Sequence, residues 1–283
     1  MRVRIPRPDS PTRPSPMYLD FIQRGLEAMD VTVIRDVRTP TRPRSIMALE
    51  IVEKGERARV WWDWSDFGHC KDDSLKEPCA KIELRRGDRT PLRFAVGQVT
   101  PMACVDDLNH LRAAKATRRT LDVYCVVRET NFDARLQCVR AINSQPWKSV
   151  AYMTKRRNRP PVPADVLGLK LAQKENYRMQ IQAKVCIAPP GIGEQTWRHM
   201  ETLAMGLCLV CAESDRVWPG DPLGCFVTCK RDWSDLPEKV DYLLTHDQER
   251  EAIAARGQEY WTQYLSPVAL AQSLIAAARK VDS

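Results

Sequence analysis

The stretch that most limits what this chain can fold into runs from Lys184 to Gly206, KVCIAPPGIGEQTWRHMETLAMG. Val185 to Ala188 is a short apolar run, too short for a helix and rich enough in β-branched residues for a buried strand. Pro189, Pro190, Gly191 and Gly193 break the pattern, as a tight loop requires. Met200, Leu203 and Ala204 then recur at helical spacing, and Gly206 stands where a C-cap belongs. Leu207 to Cys211 is apolar again and predicts a second strand parallel to the first. The order is strand, glycine loop, helix, strand.

That order has a chemical use. Glycines let a backbone approach a ligand closely, and the free N–H groups at the start of the following helix favour an anion, most often a phosphate. Arg198 and Glu201 are three residues apart and project from one helix face. The planar fork of Arg198 suits a diphosphate, and Glu201 suits a pair of sugar hydroxyls. Together they suit a nucleotide or nucleotide-sugar. The same spacing also describes an exposed intrahelical salt bridge, and glycine loops before helices are common.

The wider pattern, Pro190-Gly191-Ile192-Gly193, then Arg198-x-x-Glu201, then Ala204-Met205-Gly206 before a strand, resembles the donor-binding signature of GT-B glycosyltransferases. Lys174-Glu175-Asn176-Tyr177 to Lys184 looks like the preceding helix of family-1-like and spore-coat-type members. Cys225-Phe226-Val227 and Trp233 to Leu244 look like the family's late strand and helix. The resemblance covers Leu121 to Ser283 and is weak before that. It implies an α/β protein of two Rossmann-like domains facing across a cleft, a nucleotide-sugar co-substrate such as a UDP-sugar, and no bound cofactor or required metal. The Arg-x-x-Glu element is also similar to the donor site of phage DNA β-glucosyltransferases, which implies Arg198 on the diphosphate and Glu201 on the ribose. Many retaining members carry a second glutamate eight positions before the one matching Glu201. Here that position is Gly193, with Glu194 adjacent, so the pattern assigns neither retention nor inversion.

At 283 residues the chain is long enough for two domains. Charged residues at 28% beside 43% hydrophobic ones exclude a disordered polymer. No apolar run approaches the ~20 residues that span a bilayer, and the arginine-bearing N-terminus lacks the apolar core of a secretory signal. The expectation is a soluble cytoplasmic protein without a membrane partner, in the host cytoplasm if phage-encoded. The 10 cysteines include one CxxC spacing, Cys208-Leu209-Val210-Cys211, set inside an apolar run, and form no cluster with the 4 histidines, so they predict reduced core thiols rather than a zinc site. The net charge of +8 suits either a polyphosphate donor or a nucleic-acid acceptor.

Before the resemblance begins, Met1 to Arg7 predicts a first strand, Pro16 to Met29 a helix and Val31 to Ile34 a parallel strand. A proline-rich loop lies at the ligand-bearing end of the first strand. Ser45 to Glu53 is placed as a helix and Arg57 to Trp62 as a strand. The strand feeds into WWDWSDFGH, residues 61–69. There Asp63 and Asp66 stand among tryptophans, with His69 near, an arrangement suited to a ring stacked beside a general base. The plainer alternative is core tryptophans with acids capping a turn. Ile82 to Leu84 and Phe94 to Val96 suggest short strands, and Asp106 to Ala116 a helix ending in Lys115, Arg118 and Arg119.

The second half is read as Leu121 to Val127 strand, Phe132 to Ile142 helix, Ser149 to Met153 strand and Leu167 to Gln182 helix. After Cys211 it continues with helices over Leu236 to Thr245, Asp247 to Tyr264 and Pro267 to Val281. Arg128, at a strand's C-terminal end, is a second phosphate ligand, with Lys184 and Glu194 as further donor contacts. Arg135 is either a third phosphate ligand or part of a solvated helix face. Lys155, Arg156, Arg157 and Arg159 form a basic loop, a solvated charge run or a phosphate-tracking surface. The domains expected are 1–118 for the acceptor, 119–266 for the donor and 267–283 as a helix that, by the resemblance, crosses back to the first. The expected reaction is sugar transfer to an acceptor hydroxyl with Asp66 or Asp63 as base. The preferred acceptor is a 5-hydroxymethylated pyrimidine such as hydroxymethylcytosine in double-stranded DNA, flipped out beside Trp64. A polysaccharide or small-molecule acceptor, or a non-catalytic nucleic-acid-binding role on the same scaffold, are the alternatives.

Overall fold

A computed structural model describes residues 1–9, 15–42, 45–65, 78–86, 93–96, 118–155 and 161–279. In chain order the strands are β1 Arg2–Ile5, β2 Thr32–Arg35, β3 Thr41–Arg42, β4 Ile46–Glu53, β5 Glu56–Asp63, β6 Cys79–Lys81, β7 Leu84–Arg85 and β8 Arg93–Ala95. Then come β9 Leu121–Arg128, β10 Ser149–Thr154, β11 Ala183–Ala188, β12 Cys208–Ala212, β13 Arg216–Val217 and β14 Val227–Cys229. The helices are α1 Pro16–Glu27, α2 Phe132–Asn143, α3 Gln173–Gln180, α4 Trp197–Ala204, α5 Leu236–Thr245, α6 Asp247–Tyr260 and α7 Pro267–Arg279. They divide into two units, one of Met1–Val105, Asp215–Asp221 and Thr262–Ser283, the other of Asp106–Ser214 and Pro222–Trp261. Among the described residues no helix is long and apolar enough to cross a membrane. The expected helix over 106–116 lies outside the described residues.

The first unit is built on a mixed sheet ordered β2-β1-β4-β5-β6-β8, with β3 alongside β4. β1, α1 and β2 form the expected parallel unit, Val3 lying opposite Val33. The residues 46–53 that the sequence suggested as a helix form β4, antiparallel to both β1 and β5. Two facts explain the difference. Ile46, Met47, Ala48, Leu49 and Ile51 are all buried, so this interior strand is apolar on both faces and shows no alternation to distinguish it from a helix. Lys54 and Gly55 both have positive φ, 51° and 91°, which is the two-residue hairpin turn that closes β4 onto β5.

One face of this sheet is covered by α1, which buries Leu19, Phe21, Ile22 and Leu26. Helix α7, carrying buried Leu270 and Leu274, packs on α1. At their crossing a β-carbon on Gly25 would lie 1.9 Å from the carbonyl oxygen of Pro267. Glycine is therefore required there for contact, despite its poor helix propensity.

In the second unit the sheet is ordered β10-β9-β11-β12-β14, and every neighbouring pair is parallel. Chain order reverses between β9 and β11, which creates a switch-point crevice at their C-terminal ends. Val123, Cys125 and Val127 of β9 pack with Val139 and Ile142 of α2 and Val240 of α5 in one apolar core. Helix α3 is shorter than the expected span 167–182. Leu167 instead bridges to Met153 beside β10. A β-carbon at Gly168 would fall 2.1 Å from the Tyr152 ring, so this segment lies flat on the sheet edge. The eight described cysteines are free and buried.

Gly25→Ala tests the α1–α7 crossing. Alanine normally stabilises a helix interior relative to glycine. Here overpacking should reverse the sign and lower stability by about 1–3 kcal/mol, measured by urea unfolding of the whole chain.

Candidate donor site at the switch point of the parallel sheet

Because all five strands of the second unit run one way, the segments that leave their C-terminal ends share one edge. These are Arg128 at the end of β9 and Glu129 after it, Lys155 after β10, residues 189–193 after β11, Glu213 and Ser214 after β12, and Lys230 and Arg231 after β14. The glycine loop is drawn tight by a bond from the Gly191 N–H to the Gly193 carbonyl at 2.7 Å. Arg135 of α2 shapes it from below. Its Nε donates to Pro190 O at 2.8 Å, and its Nη1 donates to Arg128 O at 2.8 Å and to Thr130 Oγ1 at 2.6 Å. A β-carbon at Gly191 would come within 2.9 Å of Arg135 Nη2, so this glycine makes room for the guanidinium. Burial pushes the Arg135 pKa down to about 10, still fully cationic at neutral pH. Neither alternative drawn from the sequence, a phosphate ligand or a solvated helix face, describes this residue; it fastens two loop carbonyls.

Helix α4 starts beside the loop. The Thr196 N–H donates to Nδ1 of His199 at 3.0 Å, a capping arrangement that satisfies a backbone donor at the helix start. Burial, with Arg135 and Arg198 nearby, brings the His199 pKa down to about 3, so the imidazole is neutral and stays an acceptor.

Arg198 and Glu201 come together as the spacing predicts, Nη1 to Oε2 at 3.4 Å. The arginine fork, however, is turned into the protein. It donates to Gln180 Oε1, to Val126 O at 3.0 Å and to Asn176 Oδ1 at 3.2 Å, and its guanidinium carbon lies 5.1 Å from the Tyr124 ring centre. Its geometry orients Glu201 and anchors α4 to β9 and α3. Glu201, 6% exposed, accepts from the Tyr177 hydroxyl at 3.1 Å. Burial raises its carboxyl above the usual range, with Arg198 and Tyr177 opposing the rise.

The remaining expected contacts divide. Arg128 is exposed at the edge, as a phosphate ligand needs. Glu194 accepts from Ser214 Oγ at 2.5 Å and from Arg231 at 3.2 Å, which ties the loop to the segments after β12 and β14. Lys184 is a correction. It sits at the start of β11, about 13 Å along the strand from the loop at 3.3 Å per residue. There it pairs with Asp122 at 3.0 Å on the opposite edge of the sheet. A lysine in a parallel strand serves the C-terminal edge only from near that end.

The N-terminal candidates are also corrected. Asp63 is fully buried, 3.5 Å from the equally buried Lys81, and accepts from the Ser65 N–H at 2.9 Å. Lys81 donates to Ser65 O and Oγ as well. Desolvation lowers the Lys81 pKa, with Asp63 opposing. This is a buried ion pair without the solvent access a general base requires. Trp64 is 8% exposed and stacked on Tyr18 at 5.4 Å, with Trp62 edge-on to both. These rings are core, so Trp64 presents no face to a flipped base. Asp66, His69, Arg156, Arg157 and Arg159 lie outside the described residues. Lys155 is exposed. Of the other basic residues, Arg119 donates to Ile181 O and Arg85 pairs with Asp215 at 3.2 Å.

Sequence reasoning passed over Asn176, Tyr177 and Gln180, the α3 residues that hold Arg198 and Glu201. The available signal was Asn176 and Gln180 at i and i+4, one polar stripe on a helix that packs against a sheet.

A glycine loop and a helix start at the switch point of a parallel α/β sheet are features that anion-binding and nucleotide-binding sites share. Residues 110–276, more than half of the chain, match the family described as glycosyl transferase-like, and the chain belongs to that family. No curated protein matches it. Among solved structures it is similar to sucrose-phosphate synthase from Thermosynechococcus elongatus, at 12% identity and TM-score 0.47 over 67% of this chain and 53% of that one. It is also similar to a glycosyltransferase from Rickettsia africae, at 8% identity and TM-score 0.47 over 73% and 64% of the two chains. A third is Anabaena HepE in complex with UDP and glucose, at 12% identity and TM-score 0.43 over 70% and 58%. The chain thus spans between half and two thirds of the length of these structures.

Two outcomes follow from the buried charges. Asp63→Asn leaves the Lys81 ammonium uncompensated and should lower stability by about 3–5 kcal/mol, whereas exchanging both residues for apolar ones should lose much less. Unchanged stability with lost turnover would return Asp63 to the active site. For Glu201 the folded pKa lies above the unfolded one, so its contribution to stability is present below the unfolded pKa and is lost as pH rises through the folded pKa. Glu201→Gln should remove that decline in urea unfolding measured between pH 4 and pH 7, a range chosen about the usual glutamate pKa.

Proposed function

We propose that the chain is a nucleotide-sugar-dependent glycosyltransferase whose donor lies at the switch-point edge of the second unit. The observation that carries this reading is Glu201, a buried carboxylate oriented by Arg198 and Tyr177 beside a tight glycine loop and the start of α4. In this arrangement the N–H groups at that helix start and the exposed Arg128 receive the diphosphate, and Glu201 receives the ribose hydroxyls. Gly191 and Gly193 keep the loop low enough for close approach, and Glu194 braces it. Fixed N–H groups and an arginine stabilise a leaving diphosphate electrostatically, so the reading routes no step through a metal. A UDP-sugar is the donor taken for the first test. Asp66 remains the candidate base, and Asp63 is withdrawn.

For the acceptor the reading is a 5-hydroxymethylated pyrimidine in double-stranded DNA. It is supported by the net charge of +8 and by exposed Lys155, which shares the loop's edge and precedes Arg156, Arg157 and Arg159 in sequence. The internal engagement of Arg119 and Arg85 favours the second reading, a saccharide or small-molecule acceptor with the surface charge incidental.

Hydroxymethylcytosine and hydroxymethyluracil DNA, incubated with the protein and a panel of nucleotide-sugars, should gain a hexose or pentose mass. The Glu201→Ala variant should lose at least about tenfold in donor affinity while retaining its fold. Donor binding or slow donor hydrolysis without a mass shift would keep the transferase and remove DNA as acceptor. A wild-type chain that neither binds nor turns over any nucleotide-sugar would leave a nucleic-acid-binding role.

A further inference from the structure

A carboxylate taken out of water without a hydrogen bond is strongly disfavoured, and folded proteins seldom keep one. Glu129 is such a group. It is 4% exposed, and neither of its carboxylate oxygens has a hydrogen-bond partner. Two other acids of this edge differ: Glu194 is held by Ser214 and Arg231, and Glu201 by Tyr177 and Arg198.

Its position is defined by the sheet. The Glu129 N–H donates to Thr154 O at 3.3 Å, extending the β9–β10 ladder past the last residue of β9 and into the switch-point edge. Along β9 the odd residues Val123, Cys125 and Val127 enter the core shared with α2 and α5. Tyr124 instead bonds Asn176 of α3 and underlies Arg198 of α4. Glu129 continues the odd series toward α2, close enough for Arg135 to feel its charge. The Arg135 Nε and Nη1 already serve Pro190, Arg128 and Thr130. Glu129 and Glu201 therefore lie on opposite faces of the same sheet edge, with the glycine loop between them.

We propose that Glu129 is a specificity-determining residue of the donor site, whose two free oxygens accept hydrogen bonds from adjacent hydroxyls of the transferred sugar. This rests on the nucleotide-sugar reading given above. A nucleotide-sugar carries two hydroxyl-bearing rings on either side of a diphosphate. The ribose goes to Glu201, the diphosphate to the loop, and the second ring falls on the Glu129 side. Neutral hydroxyls suit this carboxylate better than a cation does, because Arg135 and Arg128 already make its surroundings positive. Both oxygens lack a donor, so a pair of hydroxyls satisfies both.

The test compares binding of bare nucleoside diphosphates (UDP, GDP and ADP) with binding of their hexose conjugates by calorimetry. It uses the full-length wild type and the Glu129→Gln and Glu129→Leu variants. Both variants should hold the bare diphosphates within about twofold and lose about tenfold for the conjugate the wild type prefers, the size expected for hydrogen bonds to a charged group. The Glu129→Leu variant should unfold at no lower a temperature than the wild type without ligand, because an unpaired buried charge has been removed. If it does not fold, the Glu129→Gln comparison decides. Equal losses for diphosphate and conjugate, no loss for either, or a changed preference among nucleobases would each overturn the assignment while leaving the donor site in place. A wild type that binds none of these ligands overturns the donor-site reading and this inference with it.

Discussion

The switch-point edge of the second unit depends on one buried guanidinium. Arg135 reaches from α2 under the sheet edge and donates to carbonyls at two different strand ends, Arg128 closing β9 and Pro190 after β11. The Arg128 carbonyl also accepts from the Thr130 N–H at 2.8 Å, so Arg135 adds a second donor there and joins that strand end to Pro190, whose loop diverges from the sheet. By taking both, Arg135 sets the width of the crevice and the height of the glycine loop. Gly191 follows from Arg135, since any side chain there would displace the guanidinium. The neutral state of His199 comes first from its burial, with Arg135 and then Arg198 disfavouring a third cation beside them. The helix cap at Thr196 depends in turn on that neutral imidazole. A single interior cation thus fastens the loop and requires its glycine, and it contributes to the helix start.

The molecule holds other charges in its interior, and they are not equivalent. In the first unit Lys81 pairs with Asp63 and Arg216 with Glu83, the latter at 3.1 Å. Each buried cation there is matched by a carboxylate: Asp63 and Lys81 face one another across β5 and β6, and Arg216 also bonds Asp215 at 2.6 Å. In the second unit Arg198 is compensated by Glu201, but Glu201 keeps a raised pKa and Glu129 has no hydrogen-bond partner at all. Compensated pairs mark structural positions; groups left partly unmet mark positions where a ligand has something to add.

Much of the second unit was legible because its signals are local. Strand, loop and helix between Lys184 and Gly206 follow from composition over short windows, and the observed β11, α4 and β12 match them closely. The same holds for α2, α5 and α6. What local pattern could not show was the fate of side chains whose partners are distant in sequence. Trp64 beside Asp63 suggested a ring platform and a base, yet Tyr18 and Lys81, neither of them a sequence neighbour, draw both into the core. Arg135 looked like one more helix-surface arginine until β11 brought Pro190 over it. The strand β4 failed for the opposite reason: buried on both faces, it lacks the alternation that distinguishes a strand from a helix.

Sheet polarity is the last link between fold and site. In an all-parallel sheet every strand ends on the same side, so residues far apart in sequence, Arg128, Glu129, Lys155, Glu194 and Arg231, converge without any direct selection for contact among them. The same polarity removes Lys184, which shares the motif's sequence window but begins its strand and pairs with Asp122 on the far edge. Position along the strand therefore discriminates better than nearness in sequence. The face of the sheet then divides what polarity has gathered: Tyr124, Asn176, Arg198 and Glu201 lie on one side of β9, Arg135 and Glu129 on the other. A ligand long enough to cross that edge meets a carboxylate on each face and the glycine loop with the helix start between them, an ordering that matches the two rings and the diphosphate of a nucleotide-sugar.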